Sequence, residues 1–416
     1  MKLTTIFACL ACFASTAAPA ATLTVGPHST FKTLCQYKTG ALYHALDGDI
    51  LQLENGVTYL ESCRVTQNSL TIQAASAGQA KPVLTPGSHS LALGQGVLAW
   101  LGNDGVVDGL EITGARQNSS ASGIRIDGHN FTIRNSYIHD NSDGILTVRN
   151  GIGVIDLEDS EFYNNGVGDG RSHNIYVNHA DQLTVNRCHL HHARIGHELK
   201  SRAKVNVITS NWIEDGADGT ASYNIDLPNG GAATVTGNTI QKGPKAANTI
   251  LISYREESGN IKQRAYMWDP ALPLTVAYNT FVSDQNTLNG YDGKGNSTGK
   301  SQPGPTTFVK VDNTVTLQPL VANNIFFHSL GAASVRTVVA QPFTGKLHRS
   351  NIVTPADPLF VNTAVFDYHL QTGSPAINAA TSLNAVFDQI VEYDRGNVTP
   401  RTSWTDSGAF SFSILP

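Results

Sequence analysis

The sequence predicts an all-β solenoid in which each turn of chain stacks on the one before it, and three observations predict it. A short pattern, an apolar residue followed by small or polar residues and then a second apolar one, recurs as VDGLEI, IRNSYI, LEDSEF, VNRCHL, ITSNWI, VTGNTI, VAYNTF and VANNIF. Aligned at Leu110, Ser136, Ser160, Cys188, Asn211, Asn238, Asn279 and Asn324, the copies are spaced by 26, 24, 28, 23, 27, 41 and 45 residues, a period that suits one solenoid turn. The residues around them are β-branched and alternating, with Gly, Asn and Asp at the breaks, and no sustained helical period competes.

Residues 1–20, MKLTTIFACLACFASTAAPA, combine Lys2, an apolar run from Ile6 to Ala14 and an Ala18-Pro19-Ala20 cleavage signal. They predict a signal peptide that takes Cys9 and Cys12 with it. No other long apolar run follows, so no membrane span is expected and the mature chain is expected to be secreted or periplasmic. Residues 21–416 then form a single solenoid domain, with a cap and first coils over 21–90, central coils over 91–330, and closing coils and a tail over 331–416. In an oxidising compartment Cys35 and Cys63 can close a loop around a short helix predicted over TGALYHAL and a DGD turn. Cys188 falls on a rung of the repeat, as a small buried thiol in place of Asn or Ser. The amide side chains on other rungs suit an inward bend at which stacked Asn residues bond along the solenoid axis.

Of the 416 residues only 15% are charged, and the net charge is −5. That balance argues against a nucleic-acid partner or an anionic membrane surface. One stretch departs from it. HLHHARIGHELKSRAK, residues 189–204, gathers His189, His191, His192, Arg194, His197, Lys200, Arg202 and Lys204 around a single acid, Glu198. Such a cluster on an acidic protein reads as a binding surface for a negatively charged glycan. As metal ligands, His189, His191 and His192 lack the H-x-x-x-H spacing that a helical site offers.

The solenoid register can be estimated from this stretch. Val177, Leu199 and Leu227 each precede an apolar residue of the next repeat, Val185, Val207 and Val235, by eight positions. That places HNIYVN, IGHELK and YNIDLP on one sheet. Ile175, His197 and Ile225 then point inward, His197 as a hydrogen-bonded interior histidine. Tyr176, Glu198 and Asp226 point outward together, flanked by Asn178 and Lys200. Outward columns of this kind line a groove along which an extended polymer can lie.

The chain also resembles a known superfamily. Its opening, TLTVGPHSTFKTL followed by DGDILQLENGVTY, and its end, ADPLFVNTAVFDYHLQTGSPAINAA, are similar to the first and closing coils of right-handed parallel β-helix proteins of the pectin-lyase-like superfamily. The resemblance implies a right-handed parallel β-helix with a short N-terminal capping helix. That superfamily holds polysaccharide lyases, hydrolases, uronate epimerases and non-catalytic surface proteins. LKSRAKVNVITSNWIEDGADGTASYNIDLPNGG further resembles the core of alginate lyase and chondroitinase B type enzymes. There a Lys-Ser pair, here Lys200-Ser201, is followed by a second cation on the next coil, and acidic residues can hold calcium. The second cation has no counterpart in YNIDLPNGG, and Arg202 and Arg255 are the substitutes within reach.

From these readings the expected activity is cleavage of an acidic polysaccharide by β-elimination at a uronate, carried out by a monomer. Lys200 takes the proton, Tyr176 or Tyr223 serves as acid or sugar contact, and Glu198 with Asp226 orients Lys200 or holds a divalent cation, calcium being the one cofactor implied. His192, Arg194, Arg202, Tyr223, Asn178 and Arg255 are the expected substrate contacts. The loops YREESGNIKQRAYMWDPALP and DQNTLNGYDGKGNSTGKSQPGP are expected to overhang the site and to be mobile, respectively. If Glu198 and Asp226 instead faced each other about 5 Å apart, they would suit a retaining glycosidase. An epimerase on the same fold, or a surface protein that binds a glycan without cleaving it, are the other readings.

Overall fold

Alternation along short strands, broken by residues that tolerate tight corners, folds this chain into stacked triangular coils. The computed structural model describes residues 20–36, 39–285, 305–340, 343, 348–383, 387 and 390–412. Residues 1–19, nearly all of the stretch expected to be a signal peptide, and most of the Gly/Ser/Asn-rich loop, residues 286–304, lie outside them.

Among the described residues each coil passes in turn through three parallel sheets. Sheet A has twelve strands, from Thr22–Val25 to His348–Arg349. Sheet B has eleven, from Thr58–Leu60 to Ile352–Thr354, and sheet C has ten, from Cys63–Val65 to Val335–Ala340.

The core is a set of columns running along the axis. In sheet A, Ile133, Leu157, Val185, Ile208, Val235 and Val276 stand in successive register, all wholly buried. Each such side chain contributes roughly 1.5–3 kcal/mol by leaving water. The corner between sheets A and B carries the predicted Asn ladder. The Nδ2 groups of Asn211, Asn238, Asn279 and Asn324 each donate to Oδ1 of the next rung, at 2.9, 2.9, 3.0 and 2.9 Å, the last to Asn351. Cys188 occupies the rung before Asn211, fully buried, and its N–H donates to Asn211 Oδ1 at 2.8 Å. Burial pushes its thiol up to about 12, as befits an inert packing residue.

Cys35 and Cys63 form a disulfide. The segment that it brackets corrects one expectation: residues 39–46, TGALYHAL, form no helix. Gly40 adopts φ +65°, its carbonyl accepts from Arg64 N–H at 2.7 Å, and Ala41 bridges Arg64 while Leu42 bridges Cys35. Backbone groups that a helix would use internally are taken up by the first strand of sheet C and by the disulfide-tied loop. Among the described residues there is no α-helix, only three short 3₁₀ turns, and no helix is long and apolar enough to cross a membrane.

At the other end the chain turns back. Residues 357–412 include two antiparallel ribbons, Phe360–Asn362 with Asp367–Leu370 and Val391–Asp394 with Asn397–Pro400. Tyr368, Tyr393 and Phe410 pack on Trp212, Val282 and Phe327 of sheet B. Cross-links such as Val391 N–H to Ser210 Oγ (3.0 Å) and Ala409 N–H to Thr280 Oγ1 (2.9 Å) fasten this segment against the sheet B side of the coils.

Candidate functional site

Sheet C places three of the expected residues in one outward column. Tyr176 pairs with Lys200 and Lys200 with Asp226 on successive coils, so their side chains emerge one above another at the strand spacing of about 4.8 Å. Lys200 Nζ lies 3.7 Å from Asp226 Oδ2 and 5.3 Å from the centre of the Tyr176 ring. The same Asp226 oxygen is 3.4 Å from His197 Nε2. Burial pushes the Asp226 carboxyl up to about 6, and the Lys200 charge pulls the other way.

The expected register is two residues off in the middle coil. The alignment pairs Leu199 with Val177, whereas Leu199 pairs with Ile175, and Ser201 pairs with Val177. Two features mislead it. The strand Val205–Thr209 turns Asn206 and Ile208 inward, not Val207. The corner from sheet C to sheet A is also shorter here, three residues (202–204) against four (178–181 and 228–231) in the coils on either side. Ser201 and Asn206 point into the core and satisfy each other, with Ser201 Oγ donating to Asn206 Oδ1 at 2.5 Å and Asn206 Nδ2 to Ala203 O at 3.1 Å.

The consequence falls on Glu198. It precedes the strand, at the corner position that Asn174 and Asn224 hold in neighbouring coils, and it is wholly buried. Its Oε1 accepts from Ala193 N–H at 2.9 Å, and its Oε2 accepts from Asn174 Nδ2 at the end of a second amide ladder, Asn141 to Asn165 to Asn174. Burial and the nearby Asp215 charge push its carboxyl well up, and the buried Lys242 ammonium opposes them. Glu198 is therefore a core residue, not an outward partner of Asp226, and the glycosidase pair does not form.

His197 is buried but sits on the outer side beside Asp226. It stacks on His173 (4.4 Å between centroids) and meets Tyr223 edge-on at 4.9 Å. Its Nδ1 accepts from Tyr223 N–H, at 3.4 Å, so the proton belongs on Nε2, facing Asp226. Burial holds both imidazoles well below their ordinary range, and both are neutral at physiological pH.

Arg202 closes the far side of the column. Its Nε donates to Tyr176 Oη at 3.0 Å, and its two terminal nitrogens form a fork on Glu257 at 2.7 and 3.0 Å. NH1 also bonds Asn229 Oδ1. Glu257 begins the expected overhanging loop, which returns across the sheet edge. Trp268 Nε1 donates to Arg202 O at 2.9 Å, and Tyr266 packs on His179 at 4.9 Å with the Arg149 guanidinium 5.2 Å from its ring. Asn178 stands next in line but turns to Thr147, donating from Nδ2 to its carbonyl at 2.9 Å. Arg255 is buried and braces the loop, its NH1 on Trp268 O at 2.5 Å and its Nε on Thr314 Oγ1 at 3.0 Å.

The other expected contacts lie elsewhere. His192 and Arg194 belong to the corner between sheets B and C, where His192 Nε2 meets Asp218 Oδ1 at 3.1 Å and Arg194 NH2 meets Asp140 Oδ1 at 2.9 Å. His189 and His191 face outward on sheet B. Residues 189–204 thus run along two faces and a corner of one coil, and most of their cations have an acid of their own. That corrects the single basic patch. Calcium, which needs six to eight oxygens, is not matched either: Asp226 is engaged by Lys200 and His197, Glu257 by Arg202, and Glu198 points inward. Glu257, His173 and Trp268 were not predicted as site residues. Each comes from another coil or loop and carries no signal within a single repeat.

Residues 88–240 match the family model described as right handed beta helix region. A search of curated proteins gives no match. Among solved structures, the chain is similar to the pectate lyase Pel9A, with 15% identity, 89% of each chain covered and a TM-score of 0.58. It is also matched to a pectin methylesterase from Aspergillus niger, with 12% identity, 92% of this chain and 97% of that one covered, and a TM-score of 0.31. At 15% identity the likeness to the pectate lyase concerns the fold, and with the three parallel sheets it shows a right-handed parallel β-helix.

Proposed function

We propose that the protein is a secreted or periplasmic polysaccharide lyase whose uronate-containing substrate lies along the outer face of sheet C. One observation carries the reading: Lys200 and Tyr176 stand on adjacent rungs of one outward column, with Arg202 Nε–H donating to Tyr176 Oη. That bond occupies a lone pair of the phenol oxygen and leaves its O–H free to donate elsewhere. In β-elimination the unprotonated Lys200 amine accepts the C5 proton, and the C5–H electrons become the C4–C5 double bond. The C4–O bond breaks, and the departing oxygen takes the Tyr176 proton. Base and acid then work from the same side of the sugar ring. The ammonium formed on Lys200 also stabilises the enolate charge on the uronate carboxylate.

The uronate assignment rests on this pair, since the basic patch is dispersed. The Cys35–Cys63 disulfide supports an oxidising compartment, and the aromatic faces of Tyr266 and Trp268 beside Arg202 suit contact with sugar rings. A screen of acidic and neutral polysaccharides tests the proposal: an acidic glycan is cleaved with appearance of an ultraviolet-absorbing unsaturated end. Saturated ends carrying heavy oxygen from labelled water would identify hydrolysis instead. Saturable binding without new chain ends would identify a glycan-binding protein.

A further inference from the structure

The outer face of sheet B carries a second cluster of chemistry-bearing groups, on coils where His189 pairs with Glu161 and His191 with Tyr163. We propose that Glu161, His189 and His191 form a binding site for a divalent borderline cation of the zinc type, held by two imidazole nitrogens and one carboxylate oxygen with a fourth position open.

The geometry converges on one atom. His191 Nε2 is 2.9 Å and His189 Nδ1 is 3.8 Å from Glu161 Oε1, and the three donor groups offer atoms all within 4.8 Å of one another. Donors bonded at about 2.0–2.1 Å around a tetrahedral zinc stand roughly 3.4 Å apart, between the two observed distances.

Each ring is also held from behind. His189 Nε2 meets Glu214 Oε1 at 3.1 Å, His191 Nδ1 meets His192 Nδ1 at 2.7 Å, and His192 Nε2 meets Asp218 Oδ1 at 3.1 Å. A carboxylate behind a ligating imidazole fixes its tautomer and aims the other nitrogen's lone pair at the metal. Glu214 does this for His189 directly, and Asp218 does it for His191 through His192.

Proton bookkeeping gives an independent reason for a cation. The chain Glu161, His191, His192, Asp218 contains three close contacts between atoms that would otherwise repel, and each needs one proton. Two neutral imidazoles supply two. With those protons placed on the His191–His192 and His192–Asp218 contacts, a bare His191 lone pair faces a bare Glu161 oxygen, which is the place for a positive charge. Glu161, the most exposed of the three at 32%, leaves an approach from solvent, while both histidines are mostly covered.

The site is separate from Lys200, which lies on sheet C, so its test does not depend on the proposed lyase activity. Chelator-stripped protein is titrated calorimetrically with zinc chloride, and cobalt(II) is added to a second sample for visible spectroscopy. The expected results are one saturable zinc site per chain and the intense visible bands of four-coordinate cobalt. The double variant His189→Gln/His191→Gln should lose both signals, and Glu214→Gln, which removes the carboxylate behind His189, should weaken zinc binding about 10–100-fold. Absence of saturable zinc binding by the unmodified protein would overturn the proposal, as would an unchanged cobalt spectrum in the double variant. So would nuclear magnetic resonance titration that finds an imidazolium at His191 or His192 persisting above neutral pH with zinc present, because a proton would then hold the place assigned to the metal.

Discussion

Lys200 Nζ and Asp226 Oδ2 stand 3.7 Å apart on adjacent rungs of sheet C, and the same carboxylate oxygen is 3.4 Å from His197 Nε2. Asp226 therefore faces both a cation and a neutral donor, and can keep the second when the first is removed. Lys200 is held by Asp226 and by the face of the Tyr176 ring.

That arrangement makes Lys200→Met a clean test of the mechanism. The Met side chain preserves the apolar stem, and Asp226 retains His197, so the melting temperature should move by only a few degrees. Turnover of the cleaved glycan should fall by about 10²–10⁴-fold, the usual contribution of a positioned acid or base. Steady-state kinetics on folded variant decides the point, and near-normal turnover would remove Lys200 from the reaction.

Tyr176→Phe separates acid from base. It deletes the proton donor and the acceptor for Arg202 Nε, but Arg202 keeps its fork on Glu257. The expected outcome is a fall in kcat with substrates whose leaving group is a sugar hydroxyl, and a much smaller fall with a substrate bearing an acidic phenol as leaving group, which needs no proton. Equal losses on both would assign Tyr176 to binding.

The period of the fold was legible in the sequence and the register of its key coil was not, for one physical reason. Repeats such as ITSNWI and VTGNTI announce themselves because, after Leu110 on the first of the aligned rungs, the ladder corner carries small or amide residues, flanked by inward apolar ones. The Asn211 to Asn351 ladder follows directly. The corner after sheet C carries no such restriction. There, three residues replace four, and inward Asn206 takes a place that Leu183 and Ala233 fill in the flanking coils. A slip of two residues preserves the alternation, so periodicity could not detect it, and Glu198 stood where Lys200 belongs. Arg202 and Asp226 were recovered because their own strands were placed correctly or because a neighbouring position sufficed. Glu257 reaches the site from a loop 55 residues beyond Arg202, a separation no local pattern encodes.

Because Glu198 closes an amide ladder inside the solenoid, its variants should report on stability and not on chemistry. Glu198→Ala leaves Ala193 N–H and the Asn174 amide without acceptors and takes one acid from the Lys242 cluster. A loss of about 3–5 kcal/mol in denaturant unfolding is expected. Glu198→Gln keeps the volume but turns a donor toward one of two donors, and should cost about 1–3 kcal/mol. The folded fraction of either variant should retain near-normal turnover. A folded Glu198→Gln protein with no activity would reinstate Glu198 in the mechanism.

The rung at Cys188 offers a contrast within one column. Ser136 and Ser160 occupy equivalent rungs and donate to the carbonyl two residues earlier, at 2.8 and 2.7 Å, and Cys188 Sγ lies 3.5 Å from the matching carbonyl of Asn186. Cys188→Ser can make that bond and should change stability by less than about 1 kcal/mol. Asn238→Ala strips partners from Asn211, Ile208 and Asn279 together and should cost about 3 kcal/mol or more. Comparable losses for the two variants, measured by urea unfolding, would contradict the assignment of the ladder as the stabilising feature of that corner.

The pH dependence of stability follows from Asp226. Burial pushes its carboxyl up to about 6, with Lys200 pulling the other way, against about 3.9 for an unstructured Asp. Between those values the folded protein holds a proton that the unfolded chain has released. The group's contribution to stability is therefore fully present below about pH 4 and is lost as pH rises through about 6. Across that window the loss is on the order of 2–3 kcal/mol. Asp226→Asn has no proton to lose, and its amide oxygen can still accept from His197 Nε2. Its stability relative to the parent should accordingly rise by a similar amount between pH 4 and pH 8, whatever the two differ by at the acid end. Denaturant unfolding of both proteins at pH 4, 6 and 8 measures the difference directly. A difference that stays flat, or shrinks toward alkaline pH, would mean that Asp226 is ionised in the native state throughout. The Lys200 and His197 contacts would then outweigh its burial, and Asp226 would act on Lys200 as a fixed negative charge across the whole of that pH range.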